Sequence, residues 1–248
     1  MLKKKMSSFR LAALGLAVSG SLMMAQHAAA EVAIDESMMD SHDMSEVEVA
    51  ASVAISSMYL WRGNNLGNTT PAISGDITAS MAGSYGGLWT SSGDKESGNE
   101  LDIYAGYGGE IEGFMYDLML VTYVYSSNQV QDDTFGDLSE IILTLGYGPV
   151  HFSYYDNISG ATGYEYYTLN ASADAFSATL GYSDSEATGT DYTHLDLAYS
   201  YNDNLSFTLS QIVDAPDEAN CAPGFSVYSG CDDDLKMAVS YSLPIDLK

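Results

Sequence analysis

The side chains in this sequence that could do chemistry are mainly carboxylates, since 34 Asp and Glu residues stand against 8 Lys and Arg and 4 His. Many of them occupy the polar positions of runs in which polar and apolar residues alternate. Carboxylates that line a constriction in a pore repel anions and favour cations. We therefore predict a pore with cation preference. Its candidate lumen and selectivity residues are Glu48, Arg62, Asp76, Asp102, Asp117, Glu140, Asp196 and Lys236.

The sequence contains no motif of an enzyme active site. It has no G-x-S-x-G nucleophile turn, no phosphate-binding loop and no zinc motif. His151 and His194 lie on polar positions of two runs that are not neighbours in the pattern, so they do not predict a catalytic group with a serine. We predict that the protein is not an enzyme and has no catalytic residue, no cofactor and no metal site. A lipid-modifying enzyme of the outer membrane is kept as a third hypothesis.

The elements that must position these side chains are strands. In one run, for example, Leu101, Ile103 and Ala105 alternate with Asp102 and Tyr104. Successive side chains of a strand point to opposite faces, so each run has one apolar and one polar face. Six long and five short connections alternate along the chain. This predicts an all-β, antiparallel transmembrane β-barrel of about 12 strands, with short periplasmic turns and longer extracellular loops. A soluble β-sandwich gives no reason for the loop lengths to alternate.

The chain before the first strand divides into two segments. Residues 1–30 have the basic residues, apolar stretch and small-residue cleavage site of a secretory signal peptide. The apolar stretch is shorter than the roughly 20 residues of a spanning helix, which argues against an uncleaved anchor. Residues 31–46 are acidic and rich in Met, and we predict a disordered arm, although His42 and its methionine neighbours also suit a soft metal. Residues 47–248 form the predicted barrel, and the bacterial outer membrane is the predicted location.

The charge of the chain restricts its partners. After the signal segment the chain contains all 34 acidic residues and only four basic ones. A protein that binds nucleic acid needs a positively charged surface. We therefore exclude nucleic acid and expect outer-membrane lipids, lipopolysaccharide, and ions or small polar solutes; the sequence does not set the oligomeric state. Cys221 and Cys231 lie close together in one loop, which predicts a disulfide in an oxidising compartment. Two free thiols, or half of a metal site, are the alternative.

Six segments carry a family resemblance: Tyr59–Gly63, Pro71–Ala72, Trp89, Glu100–Tyr107, Tyr116–Asp117 and Glu140–Gly148. Together they resemble the TorF-type porin family of proteobacterial outer membranes. The resemblance extends from Val47 onward and implies an outer-membrane barrel that forms a channel, with no established substrate and no catalytic residues. The chain departs from the usual aromatic last residue of such barrels, because it ends at Lys248.

The leading hypothesis is a porin-like channel for passive diffusion of ions or small polar solutes. The alternative is a barrel with a closed lumen and structural or adhesive surface loops, which large inward side chains such as Tyr104, Tyr123 and Tyr155 would favour. Arg62, at the outer end of the first run, is interpreted as an ion-pair anchor or as a selectivity element. The aromatic residues expected in girdles at the membrane interfaces are Tyr59, Trp61, Trp89, Tyr107, Tyr147, Tyr201 and Tyr241.

Overall fold

The computed structural model describes residues 47–68, 70–126, 134–160, 163–186, 189–221 and 229–247. The predicted signal peptide and the acidic arm with His42 lie outside these residues, so neither prediction is tested. Among the described residues, no helix is long and apolar enough to cross a membrane.

A single sheet of antiparallel strands closes on itself. Each barrel strand pairs with its neighbours along the chain, and the first strand, β1, pairs with the last, β14, to complete the ring. The predicted antiparallel barrel of 12 strands is therefore confirmed. The barrel strands are β1 (Glu48–Ser56), β4 (Ala72–Met81), β5 (Ser84–Asp94), β6 (Gly98–Ile111), β7 (Phe114–Tyr125), β8 (Leu138–Tyr147), β9 (Val150–Ser159), β10 (Tyr164–Ala173), β11 (Phe176–Ser185), β12 (Tyr192–Ser200), β13 (Leu205–Asp214) and β14 (Lys236–Ile245).

The connections alternate between the two ends of the barrel, as predicted. At one end the strands are joined by turns of two to four residues, at 82–83, 112–113, 148–149, 174–175 and 201–204. In the turns Ala82–Gly83 and Glu112–Gly113 both residues have positive φ, which is the backbone of a type I′ hairpin turn. We call this end, where β1 begins and β14 finishes, the turn end. The other end, the loop end, carries the long connections 57–71, 126–137 and 215–235, but also a short one, 95–97, where the sequence predicts a longer loop. This end includes a disulfide between Cys221 and Cys231 with an S–S distance of 2.08 Å, as predicted.

The two faces of the sheet differ in polarity, and the apolar face is on the outside. Along β10, for example, Leu169 is 50% exposed while the neighbouring Thr168 is 4% exposed and faces inward. The outward positions of the other strands repeat this pattern with Val, Ile, Leu, Phe and Tyr, and buried Ser, Thr, Asp and Glu occupy the inward ones. An apolar outside around a polar inside is the arrangement of a transmembrane barrel, in which the outer face contacts lipid.

Three details of the predicted strands are wrong. The first strand ends at Ser56 and does not continue through Trp61, because the chain leaves the wall there and turns into the barrel. The sequence pattern predicts a short third strand around Leu88 to Ser91, whereas β5 spans Ser84–Asp94. Two of the predicted girdle residues, Tyr59 and Trp89, are 3% and 2% exposed inside the barrel, and Trp61 is only half-buried beside them. The remaining girdle residues are exposed on the outer surface: Tyr107, Tyr147, Tyr201 and Tyr241.

The lipid-facing assignment predicts a difference between two leucine-to-arginine substitutions. Leu169 is central in β10, whereas Leu235 is 64% exposed just before β14, at the loop end. Arginine on the lipid face costs about 2–4 kcal/mol at the bilayer midplane and about 0–1 kcal/mol near the interface. We expect Leu169→Arg to lower the free energy of unfolding in liposomes by the larger amount and Leu235→Arg by the smaller, as measured by urea titration. Equal costs at the two sites would contradict the assignment.

Candidate functional site

In the first long connection, residues 57–71, the described residues 57–68 fold into the barrel as a small hairpin. Its strands are β2 (Leu60–Trp61) and β3 (Asn64–Asn65), joined by Arg62 and Gly63 with φ values of 46° and 82°. Positive φ at both positions is again the type I′ geometry. The turn contacts the inner wall so closely that a Cβ atom at Gly63 would lie 2.6 Å from Cβ of His194 on β12. Glycine at this position is therefore required by both the turn and the contact.

The tip of this hairpin holds a buried ion pair across the lumen. Nη2 of Arg62 donates to both carboxylate oxygens of Glu140 on β8, at 3.0 and 2.9 Å, and both side chains are 4% exposed. Burial lowers the pKa of Arg62, but the Glu140 carboxylate together with Tyr164, Tyr123 and Tyr166 raises it by more, so the net pKa is well above its ordinary value. The guanidinium therefore stays charged inside the barrel.

Four aromatic rings surround the Arg62 guanidinium, and we call them the aromatic box. Trp61 belongs to the hairpin itself, and the other three rings belong to the barrel wall on β9 and β10. Each ring lies within the range of about 6 Å in which a cation is attracted to the face of an aromatic ring. The distances from Cζ of Arg62 to the ring centroids are 4.6 Å for Trp61, 4.9 Å for Tyr155, 5.3 Å for Tyr164 and 4.3 Å for Tyr166.

Further hydrogen bonds link the hairpin to four other places in the barrel. The Tyr59 hydroxyl donates to Glu100 on β6, and the backbone N–H of Lys95 donates to the carbonyl of Leu66 at 3.1 Å. Asn64 is bonded on both sides: its amide nitrogen donates to the Tyr192 hydroxyl at 2.9 Å, and its oxygen accepts from the backbone N–H of Gly230 at 2.9 Å. Gly230 is next to Cys231, so this hydrogen bond joins the hairpin to the chain beside the disulfide.

The predicted lumen carboxylates are inside the barrel, with one exception. Glu48 lies exposed at the start of β1, at the turn end. Asp102, Asp117, Glu140 and Asp196 are buried on the inner face, and Asp76 is half-buried there. Their role in selectivity stays a prediction.

Most of these carboxylates accept hydrogen bonds from inward side chains. Both oxygens of Asp117 accept from the Tyr85 hydroxyl at 2.9 Å. Asp76 accepts from Ser52, and Asp196 contacts Nδ1 of His194 at 3.1 Å. Oδ1 of Asp102 is buried with no hydrogen-bond partner among the described residues. The tyrosine and serine hydroxyls supply hydrogen bonds to these carboxyl groups but no counter-charge.

The two predicted cations do not line an open passage. Arg62 is not on the first strand but at the tip of the hairpin, and of its two interpretations the structure shows the ion-pair anchor. Nζ of Lys236 donates to the carbonyl oxygens of Asp232 and Asp234 at 2.5 and 3.2 Å, which ties β14 to the end of the disulfide loop.

Glu100 is an acidic residue of the lumen that is not among the candidates chosen from the sequence. Glu100 is 2% exposed and accepts hydrogen bonds from Tyr59 and, at 3.1 Å, from Tyr125. Its position two residues before Asp102 places it on the same face of β6, so the period-two pattern contained the signal.

Side-chain size divides the inner wall into two halves. The strands from β5 to β10 carry large buried side chains that extend into the lumen, among them Trp89, Tyr104, Tyr123 and Tyr155. The strands from β11 around to β1 carry mainly small ones. These small inward residues include Ala54, Ser56, Thr179, Ser183, Ala198, Ser206, Thr208, Ser210, Ala238 and Ser240. Tyr104, Tyr123 and Tyr155 are thus inward and buried, which is the observation expected for a closed lumen.

His194 is hydrogen-bonded on both ring nitrogens, and neither partner is a serine. Nε2 of His194 bonds to the Tyr166 hydroxyl at 2.7 Å and Nδ1 faces Asp196, so its two ring nitrogens are engaged by a tyrosine and an aspartate and not by a serine. His151 lies on β9 and His194 on β12. Within the described ranges, no group of three or more His, Cys, Asp or Glu side chains is placed to hold a metal ion.

Comparison with known proteins gives a family and distant structural neighbours. The family model described as "Bacterial protein of unknown function (Gcw_chp)" matches residues 40–220. No curated protein matches the chain. Two solved mutants of the Rhodopseudomonas blastica porin have 12% and 13% sequence identity, each with a TM-score of 0.40. The alignment covers 69% of this chain and 55% of each porin chain, so this chain spans about half of their length. The TorF-type resemblance is not confirmed by these matches.

The burial of the Arg62–Glu140 pair predicts a large effect of neutralising it. Removing the charge of one partner in a buried ion pair costs about 3–5 kcal/mol, because the other charge stays buried without its counterion. We expect Glu140→Gln to lower the free energy of unfolding by about this amount in urea titrations, or to release the hairpin, which protease cleavage within residues 57–71 would detect.

A second ion pair provides the matched control. Asp232 pairs with Lys236 at 3.4 Å, but its side chain is 59% exposed. Lys236 is 5% exposed, but it keeps its hydrogen bonds to the carbonyl oxygens of Asp232 and Asp234 when the Asp232 carboxylate is removed. Exposed carboxylates contribute about 0–1 kcal/mol to a pair, so Asp232→Asn should change the stability much less than Glu140→Gln and leave the hairpin protected. A Glu140→Gln variant that matched Asp232→Asn in both measurements would show that the hairpin does not depend on the buried pair.

Proposed function

Because this chain belongs to the Gcw_chp family of bacterial proteins of unknown function, only its own geometry can indicate its role, and we propose that it is an outer-membrane channel closed by its first long loop. The solutes are ions or small polar molecules that pass by diffusion. The TorF-type resemblance of the sequence agrees with this function. The hairpin of residues 57–71 is the gate, and the Arg62–Glu140 pair holds it shut.

One observation carries the proposal: at the loop end, the lumen is obstructed by a loop. The hairpin lies between the half of the wall with large side chains and the half with small ones, and it contacts both, through Glu140 on β8 and His194 on β12. If the hairpin leaves, the small Ser, Thr and Ala side chains of β11 to β1 border the space it vacates. Loops move far more readily than paired strands, so this obstruction is reversible.

We propose that the open channel prefers cations. The inner face carries Asp76, Glu100, Asp102, Asp117 and Asp196 in addition to Glu140, which is paired with Arg62. Once the hairpin is displaced, Arg62 moves with it and Glu140 adds to the uncompensated charge. Carboxylates near a low-dielectric wall raise the local concentration of cations.

A closed barrel with a structural role is the second candidate. It is favoured by the burial of Tyr104, Tyr123 and Tyr155, which belong to the wall and stay in the lumen whatever the hairpin does. The two candidates differ in what happens when the hairpin is absent.

Planar-bilayer recordings of the refolded protein separate the two candidates. We expect the wild type to conduct weakly and intermittently, and a variant with residues 60–65 replaced by Gly and Ser to conduct steadily and at least several-fold more. In a KCl gradient, the reversal potential of this variant should indicate cation preference. Replacing Asp102 by Asn should weaken that preference, because it removes one carboxyl group from the inner face.

A triple variant with Ser at Asp232, Asp233 and Asp234 serves as the control. These residues are exposed at the same end of the barrel but outside the lumen, so both conductance and selectivity should match the wild type. Anion preference of the open variant would contradict the selectivity proposal. No conductance in either the wild type or the hairpin variant would contradict the channel and leave the closed barrel.

A further inference from the structure

The residues around Arg62 form a complete recognition site for an organic cation. We propose that Glu140, Tyr155, Tyr164 and Tyr166 bind solutes that carry a guanidinium group, and that Arg62 is an internal ligand that fills this site when no solute is present. As a statement about what passes through the protein, this inference rests on the proposed channel. As a statement about binding, it stands on the geometry alone.

The first argument is the chemistry of the site. Three tyrosine rings lie 4.3 to 5.3 Å from the guanidinium carbon, and one carboxylate accepts two hydrogen bonds from it. Ring faces attract the delocalised cation, and the carboxylate supplies its counter-charge and hydrogen-bond acceptors. Tyr166 is itself held in place, because its hydroxyl bonds to His194 and its ring stacks on the imidazole with an interplanar angle of 3°.

The second argument is that the site belongs to the wall and its occupant does not. Glu140, Tyr155, Tyr164 and Tyr166 are on strands β8, β9 and β10, which pair with one another in the barrel. Arg62 is contributed by the hairpin. Displacement of the hairpin therefore leaves a carboxylate and three aromatic rings facing the lumen, with only Trp61 removed from the box.

The third argument is that the occupant is held by its head group and not by its backbone. Arg62 has a φ of 46°, a left-handed backbone conformation that is unfavourable for an arginine and that asparagine or glycine adopts readily. Its Nη1 atom is buried with no hydrogen-bond partner among the described residues, although the side chain is almost fully enclosed. The side-chain contacts thus hold an arginine at a turn position whose backbone conformation does not favour arginine. They leave the Nη1 atom of its guanidinium without a hydrogen bond among the described residues.

The consequence is competition between solute and hairpin. A solute guanidinium that occupies the box excludes Arg62 and so weakens the attachment of the hairpin tip. Binding of a guanidinium solute at this site is then coupled to opening of the loop end. The channel therefore admits guanidinium solutes in preference to others.

The test empties the site without disturbing the turn. Arg62→Asn produces an Asn-Gly pair, the preferred sequence for a type I′ turn, and asparagine is too short to reach Glu140. Ethylguanidinium is titrated calorimetrically into the refolded full barrel, with ethylammonium, tetramethylammonium and sodium chloride at matched ionic strength as the other probes. The double variant Arg62→Asn, Glu140→Gln lacks the carboxylate of the site. Lys95→Ala removes an exposed cation near the same end and keeps Arg62 in place.

We expect ethylguanidinium to bind Arg62→Asn at millimolar concentration and to bind the wild type, Lys95→Ala and the double variant at least tenfold more weakly. It should also raise the thermal midpoint of Arg62→Asn and of no other variant. If Arg62→Asn refolds poorly, the refolding yield should rise with ethylguanidinium and not with sodium chloride. Equal binding to all variants, tighter binding of either ammonium probe, or neither binding nor rescue of refolding would overturn the proposal.

Binding and conductance fail separately in this design. Binding to Arg62→Asn without any conductance would support the cation site and contradict the channel. Conductance of the hairpin variant, with no ethylguanidinium binding to Arg62→Asn, would support the channel and contradict the cation site.

Discussion

The ion pair between Arg62 and Glu140 is the interaction on which the interior of this barrel depends. It connects a loop to the wall across the lumen, and the aromatic box and the Asn64 contacts both presuppose that the hairpin is inside. A buried charge without its partner is strongly unfavourable, so partly broken arrangements of this pair are disfavoured. The hairpin is either fully docked, with its guanidinium satisfied by Glu140, or it is out of the site.

The barrel separates two kinds of packing that a soluble protein combines in one core. The outer surface of the barrel needs only to be apolar, and an apolar residue at every second position of each strand is sufficient to make it so. Its interior is polar and must satisfy each donor and acceptor by a specific partner, because little water reaches the buried groups. Asp117 with Tyr85, and Glu100 with Tyr59 and Tyr125, are local solutions to this requirement.

This division explains how much could be predicted from the sequence. The strand number, the alternating connections, the disulfide and the inward side of Asp102, Asp117, Glu140 and Asp196 all follow from patterns that are local in the chain. The hairpin does not, because the alternation of apolar residues runs on through Tyr59 and Trp61 as if the first strand continued. Only the Arg62-Gly63 pair signals a turn there, and the partner of Arg62 is 78 residues further along the chain. Tyr59 and Trp89 were assigned to the membrane surface for the same reason: aromatic residues suit an interface and a packed lumen equally well.

The closure of the ring by β1 and β14 has a consequence for the order of assembly. The strands that carry the proposed cation site, β8 to β10, are consecutive in the chain and pair across short connections. The pairing of β1 with β14 joins the two ends of the barrel sequence, so it carries the largest entropic cost of closing a loop. The hairpin follows β1 directly, so it belongs to one edge of the open sheet until β14 arrives. If Arg62 pairs with Glu140 while the sheet is still open, the pair links the chain just after β1 to β8. Such a link lowers the entropic cost of bringing β1 to β14, so the contact that holds the hairpin in the finished barrel would also favour its closure.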